Sequence, residues 1–281
     1  MSSHLFSKML IKSACFTLGM LLIWMGLNEF LSPHIWDGMT ISKSALTVEY
    51  CEFNNVDKFF HQSSNTYSNL SYFFFGILII QIALEDFKNY NKKVLNRMEQ
   101  FPLLSALMGL YFIYLSFGSA FFHASLTYVG QRVDMNGTYG VSITLLSIGI
   151  YQILYKIQLS DSAKYLWIGS LVLFIIAFFK IALMVYSSIL LPAMILLLTL
   201  MNIINYLQFR KERSIILAIL SFLLIVVALK IRTLDVQKTG CNPYSFYQGH
   251  AAWHFLTALS SFCSYAFFRF SKLSAIKVQN V

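Results

Sequence analysis

The chain has 281 residues, 57% of them hydrophobic and only 12% charged, about half the charge of a soluble domain, which excludes an ordinary water-soluble enzyme. Its net charge of +9 does not signal nucleic acid, because the Lys and Arg cluster in short segments between apolar runs, as topology-setting loop charges do. Four cysteines without a C-x-x-C pair argue against a thiolate metal site.

Eight apolar segments have roughly the 17–25 residues that cross about 30 Å of hydrocarbon. They lie near 12–31, 67–84, 103–124, 135–155, 164–184, 189–207, 214–231 and 249–268, and they predict an all-α polytopic membrane protein. The first follows Lys8 and Lys12 and has the look of a secretory leader. However, Gly26-Leu27-Asn28-Glu29-Phe30-Leu31-Ser32-Pro33 lacks a small-x-small cleavage site, so a retained anchor is expected. The boundary at Tyr186-Ser187-Ser188 is the least marked. No internal repeat, low-complexity segment or long linker divides the chain, and with no repeat symmetry or broken helices a transporter is disfavoured.

Loop charge sets the expected orientation. Lys88, Lys92, Lys93 and Arg97 fall in 85–101, Lys156 and Lys164 in 156–164, Arg210, Lys211 and Arg213 in 208–213, and Arg269, Lys272 and Lys277 in the tail. With eight spans these share one face with Lys8 and Lys12, and the positive-inside rule puts that face and both termini in the cytoplasm. The outer or lumenal face receives 32–66, 125–134, 185–188 and 232–248, the last fitting less well because of Arg232 and Lys238. Lys180, Lys230 and Arg232 read as snorkelling side chains, the latter two alternatively as contacts for a lipid phosphate. Sequons at Asn69 and Asn136 lie at or in spans, where a glycan is not expected.

Of six histidines, His4, His34 and His61 lie in polar segments and read as solvated. His123 closes the third span, Asp134 opens the fourth, and His250 and His254 open the eighth. The span count therefore brings residues from three helices to one depth near the outer face, where ionisable groups are costly and usually functional. Residues four apart share a helical face, so His250 and His254 can address one ion. His123 adds a third nitrogen and leaves a fourth tetrahedral position for water, the catalytic zinc pattern. Zinc brings the pKa of bound water from 15.7 to about 7. Asp134 is then a base or water-orienting group, and Ser119, one turn before His123, a donor to a developing oxyanion. Any one of these histidines alone reads more readily as an interfacial, hydrogen-bonded residue; their common depth favours a metal.

The motifs are more specific than the spacing. F-G-S-A-F-F-H-A-S-L-T-Y-V-G-Q-R-V-D at 117–134 is similar to the G-S-x-x-F-H-x-T-L-x-x-x-G-Q-x-x-D of the alkaline ceramidase family. H-A-A-W-H-F-L-T-A-L-S-S at 250–261 resembles its H-x-x-W-H-x-L-T-x-x-x-S, and N-T-Y-S-N-L at 65–70 its N-T-x-S-N stretch. The resemblance covers about 49–268, and the family belongs to a superfamily of seven-span hydrolases that includes the adiponectin and progestin receptors. It implies a seven-transmembrane-helix core with one additional N-terminal transmembrane helix. The divisions are 1–48 as anchor helix and outer loop, 49–268 as the ceramidase-like domain and 269–281 as a cytoplasmic tail. Carried over by position, the zinc ligands fall on His123, His250 and His254, the base on Asp134 and the active-site serine on Ser119. The implied activity is hydrolysis of the amide of ceramide or a related N-acyl lipid within a membrane, with no nucleic-acid partner. The receptor branch keeps a weakly catalytic or non-catalytic lipid-binding protein open.

The resemblance also extends into the outer loop. Relatives with a calcium site have D-W-C-E-x-N followed by a Glu, where this chain has Glu49, Tyr50, Cys51, Glu52, Phe53 and Asn54, with Gln62 near the later position. Calcium needs six to eight oxygens with enough carboxylate charge, so the set Glu49, Tyr50, Glu52, Asn54 and Gln62 competes with a plainer reading, a polar loop covering the outer mouth. A disulfide between Cys51 and Cys241 is implied by the family and allowed in an oxidising outer compartment; spacing alone does not establish it.

Overall fold

The computed structural model describes residues 2–90, 96–184 and 187–271. Lys92, Lys93, Tyr186, Lys272 and Lys277, used above for orientation and boundaries, lie outside them. Among the described residues the elements are helices: α1 (Ser3–Phe30), a 3-10 turn (Pro33–Trp36), α2 (Lys43–Leu46), α3 (Ser63–Ser68), α4 (Leu70–Lys88), α5 (Pro102–Ser125), α6 (Tyr128–Ile153), α7 (Asp161–Met184), α8 (Ser187–Gln208), α9 (Ile215–Val236) and α10 (Gly249–Arg269). The described extended pairing is an isolated bridge between Ile41 and Thr127.

Among the described residues, six helical stretches are long and apolar enough to cross a membrane, with α3 and α4 counted as one, as in a multi-pass membrane protein. The two long helices outside that set, α6 and α10, are those carrying Asp134 and the H-x-x-x-H pair. Their polar residues dilute the hydropathy by which spans are recognised. Apolar residues of α1, α7, α8 and α9 remain broadly exposed, as lipid-facing helices require.

Three boundaries differ from expectation, each because polar residues continue a helix. α1 begins at Ser3 and includes Lys8 and Lys12, with Ser2 accepting from Leu5 N as N-cap. α6 begins at Tyr128, because Thr127 caps it by accepting from Gly130 N at 3.1 Å. Asp134 therefore sits inside the helix and does not open it. α9 runs on to Val236 and carries Lys230, Arg232 and Asp235.

α5 lies between α4 and α6. A Cβ on Gly76 would sit 2.7 Å from Ile113 Cγ1 and 3.0 Å from the Gly109 carbonyl oxygen, so glycine lets α4 and α5 touch backbone to backbone. α5 starts on Pro102 at its first turn and ends on Leu126 in the left-handed conformation (φ 54°), so α5 and α6 form a tight antiparallel hairpin. That hairpin brings Ser119 of α5 beside Asp134 of α6. α9 lies along α10, α8 along α6, α1 on α4 and α7 on α6. Tyr72, Phe75, Met108, Phe112, Leu145, Tyr265 and Phe268 are among the shared core.

At the end of the bundle away from the histidines, arginines close helix C-termini, where cations match the dipole and the free carbonyls. Arg97 donates to the carbonyls of Tyr151, Leu154, Tyr155 and Ile157. Buried Arg213 donates to Phe267 O, Phe268 O and Gln152 Oε1. Arg269 forms a buried ion pair with Asp86 and meets Glu99 at 3.1 Å. Part of the positive charge that sets the expected topology thus also clamps helices together.

Candidate active site

His123 lies in the last turn of α5 and His250 and His254 in the first two turns of α10, all three buried. Ring centroids are 4.9 Å apart for His123–His250, 5.0 Å for His123–His254 and 4.6 Å for His250–His254. One ligand nitrogen from each falls within 4.8 Å of the others.

The rings are oriented from outside. Gln62 Oε1 lies 2.7 Å from His123 Nδ1; an amide oxygen only accepts, so the proton is on Nδ1 and Nε2 presents a lone pair. Ser68 Oγ is 2.7 Å from His254 Nδ1. His123 Nε2 and His250 Nδ1 are buried without a partner, an arrangement that is costly for polar atoms in an apolar interior unless something fills the space between them. Imidazole nitrogens with hydrogen-bonded outer partners suit zinc, so the residues fit the implied metal.

Ser119 and Asp134 line the same cavity as His250 and His254. The buried Ser119 Oγ sits beside the Asp134 carboxylate without a well-formed bond to it or to any other group. The five residues singled out from the sequence are therefore brought together.

Sequence reasoning missed Gln62 and Ser68 as ring partners, and two further supports. Asp235 Oδ1 accepts from His250 N at 3.2 Å and Oδ2 from Cys51 N at 3.1 Å. This anchors α10 with an acid at its N-terminus and ties it to the loop that carries Cys51. A Cβ on Gly249 would come within 2.9 Å of that carboxylate, so the glycine before the first histidine was the available signal. The second is Tyr50, whose ring lies 3.9 Å from that of His250 and 5.5 Å from that of His123.

The outer-loop residues considered for calcium each hold a protein partner. Glu49 meets Arg232 at 3.3 Å, which also gives Arg232 a protein counter-ion in place of a lipid phosphate. Glu52 accepts from Ser64 N at 2.7 Å and Asn65 N at 2.8 Å, and burial pushes its carboxyl up to about 7 against those two bonds. Asn54 Oδ1 accepts from Gln62 Nε2 at 2.7 Å, and Gln62 turns its oxygen to His123. Burial also pushes the Tyr50 hydroxyl up, with Glu49 adding to the effect. The sulfurs of Cys51 and Cys241 are bonded, with Cα atoms 5.7 Å apart. Of the remaining histidines, His4 and His34 are exposed and His61 is half-buried.

The cavity below the histidines measures about 760 Å³ and is walled by α5, α6, α8, α9 and α10. Its size and mainly apolar walls suit a lipid chain.

The chain matches the family model described as Ceramidase over residues 42–280, a range that takes in every site residue above and begins after α1. No curated protein matches the chain.

Proposed function

The chain belongs to the ceramidase family, and from that membership we propose a zinc-dependent amidohydrolase that cleaves the amide of ceramide or a related N-acyl lipid, releasing sphingoid base and fatty acid. The observation that carries the metal is the convergence of orphaned imidazole nitrogens from α5 and α10 at the head of a lipid-sized cavity.

His123, His250 and His254 would hold the zinc, which when bound acts as a Lewis acid and lowers the pKa of water. Asp134 is placed to take the proton of the attacking water and return it to the leaving amine, a general acid–base role. Ser119, with its free hydroxyl, donates to the carbonyl oxygen as charge builds there. Gln62 and Ser68 hold the rings, and Tyr50 packs over His250 to exclude water from the outer side. We read the segment from Glu49 to Gln62 as that cover, stapled by Cys51–Cys241, and not as a calcium cage. In this reading residues 49–268 form the catalytic domain behind an anchor in 1–48. Both termini and the 269–281 tail are cytoplasmic, and the histidines lie near the outer or lumenal face.

The test is hydrolysis of a fluorescent N-acyl sphingosine by purified protein alongside its metal content. One zinc per chain and loss of both metal and turnover in His254→Ala are expected. Turnover that survives that substitution or strong chelation refutes the mechanism. Zinc and lipid bound without single-turnover cleavage would leave a lipid-binding protein instead.

A further inference from the structure

The cavity does not end at the histidines. It continues between α8, α9 and α10 as far as Tyr206 and Ile215, and its walls there include Leu145, Phe222 and Ile195. One level breaks the apolar lining. Asn202 of α8, Ser221 of α9 and Ser260 and Ser264 of α10 all line it, and each is more than nine-tenths buried. Asn202 Nδ2 donates to Ser264 Oγ at 3.2 Å, Ser221 Oγ and Ser264 Oγ are 2.6 Å apart, and Ser260 Oγ donates to Ser221 O at 2.8 Å.

Hydrogen bonds of this kind hold helices together in a membrane, and they account for every polar group of the belt except one. Asn202 Oδ1 is buried without a partner. An orphaned acceptor beside an apolar cavity calls for a donor from whatever fills that cavity. The belt has no charged side chain, so the matching donor is neutral. It lies in the body of the cavity and not at its mouth, so the donor belongs to a chain and not to a headgroup. Ser260 and Ser264 follow His254 by six and ten residues, about 9–15 Å along the helix axis.

We propose that this belt is a subsite for a hydroxyl carried within a hydrophobic chain of the substrate, about 9–15 Å from the scissile carbonyl. The proposal deepens the amidase reading and rests on it for the position of the carbonyl. The hydroxyl donates to Asn202 Oδ1, and Ser264 holds that amide in place by accepting from Asn202 Nδ2.

The experiment compares plain N-acyl sphingoid bases with analogues bearing one hydroxyl, moved carbon by carbon along the acyl chain in one arm and along the sphingoid chain in the other. The readout is the ratio of kcat/KM, hydroxylated over plain, within each variant, so loss of folded protein cancels. One hydrogen bond predicts a preference of roughly 2- to 10-fold at the matching position, in whichever arm identifies the chain that enters. That preference disappears in Asn202→Leu and in Ser264→Ala, and the second variant serves if the first does not fold. Ratios near one at every position, or a preference that survives both substitutions, overturn the subsite, as expected if the belt only joins helices or holds water. If no amide is cleaved, thermal stabilisation of the protein by the same lipids is read. A hydroxyl preference there keeps the subsite while the amidase reading fails, and its absence removes both.

Discussion

Gln62→Leu is the substitution most able to test how the proposed metal centre is built. The Gln62 amide joins three groups: it accepts from His123 Nδ1 at 2.7 Å and from Asn65 Nδ2 at 3.1 Å, and donates to Asn54 Oδ1 at 2.7 Å. Leucine keeps the bulk and removes all three bonds, freeing the His123 ring to rotate and to move its proton to Nε2. Loss of an outer hydrogen-bond partner typically lowers metal affinity 10- to 100-fold, about 1.4–2.7 kcal/mol. Gln62→Glu keeps the acceptor for His123 and Asn65 and gives up only the donation to Asn54, so it should retain most of the affinity. Zinc competition with a chromophoric chelator on purified protein measures both. Native zinc affinity in Gln62→Leu, or a defect repaired by calcium and not by zinc, would refute the assignment of Gln62 to His123.

Four further outcomes follow from the same geometry. Asp134→Asn should keep its zinc and lose about 10²- to 10⁴-fold in kcat, read by parallel metal analysis and turnover. Asp235→Ala removes the acceptor shared by His250 N and Cys51 N and should cost about 1.5–3 kcal/mol in thermal unfolding, with weaker zinc binding. Cys51→Ser with Cys241→Ser should cost about 2–5 kcal/mol, matched by reductant acting on the native protein. Glu52 has a folded-state pKa raised to about 7, so the folded state holds the proton more tightly than the unfolded chain. Its contribution is full below about 4.5 and fades as pH rises through 7, on the order of 3 kcal/mol. Unfolding scans from pH 4.5 to 8 should show that decline and lose it in Glu52→Gln.

The sequence was most legible where chemistry and periodicity coincide. H-x-x-x-H on one helix face and a histidine at the end of an apolar run were enough to bring His123, His250 and His254 to one depth. Helix α6 was harder to delimit, since Gly130, Gln131 and Arg132 read as loop although Thr127 caps a helix there. The polar side chains of Gln131 and Arg132 fit a membrane interface as well as a turn. Asp235 and Gln62 were hidden for another reason: each acts through space on a histidine more than ten residues away. A carboxylate that reads as loop and a glutamine in a polar segment carry no local sign of the ring or backbone they will meet. The one clue was Gly249, a glycine where no turn needs positive φ, present because a carboxylate comes close.

The division of the three clustered imidazoles between α5 and α10 also bears on biosynthesis. One donor is made midway through translation, whereas the other two arrive with the final long helix of the described residues. A nascent chain halted before that helix inserts would have a lone imidazole, and under the proposed mechanism hydrolysis could not begin on a half-built bundle. Activity would therefore report completed assembly, and damage to the last helix would silence the enzyme even with every earlier span in place.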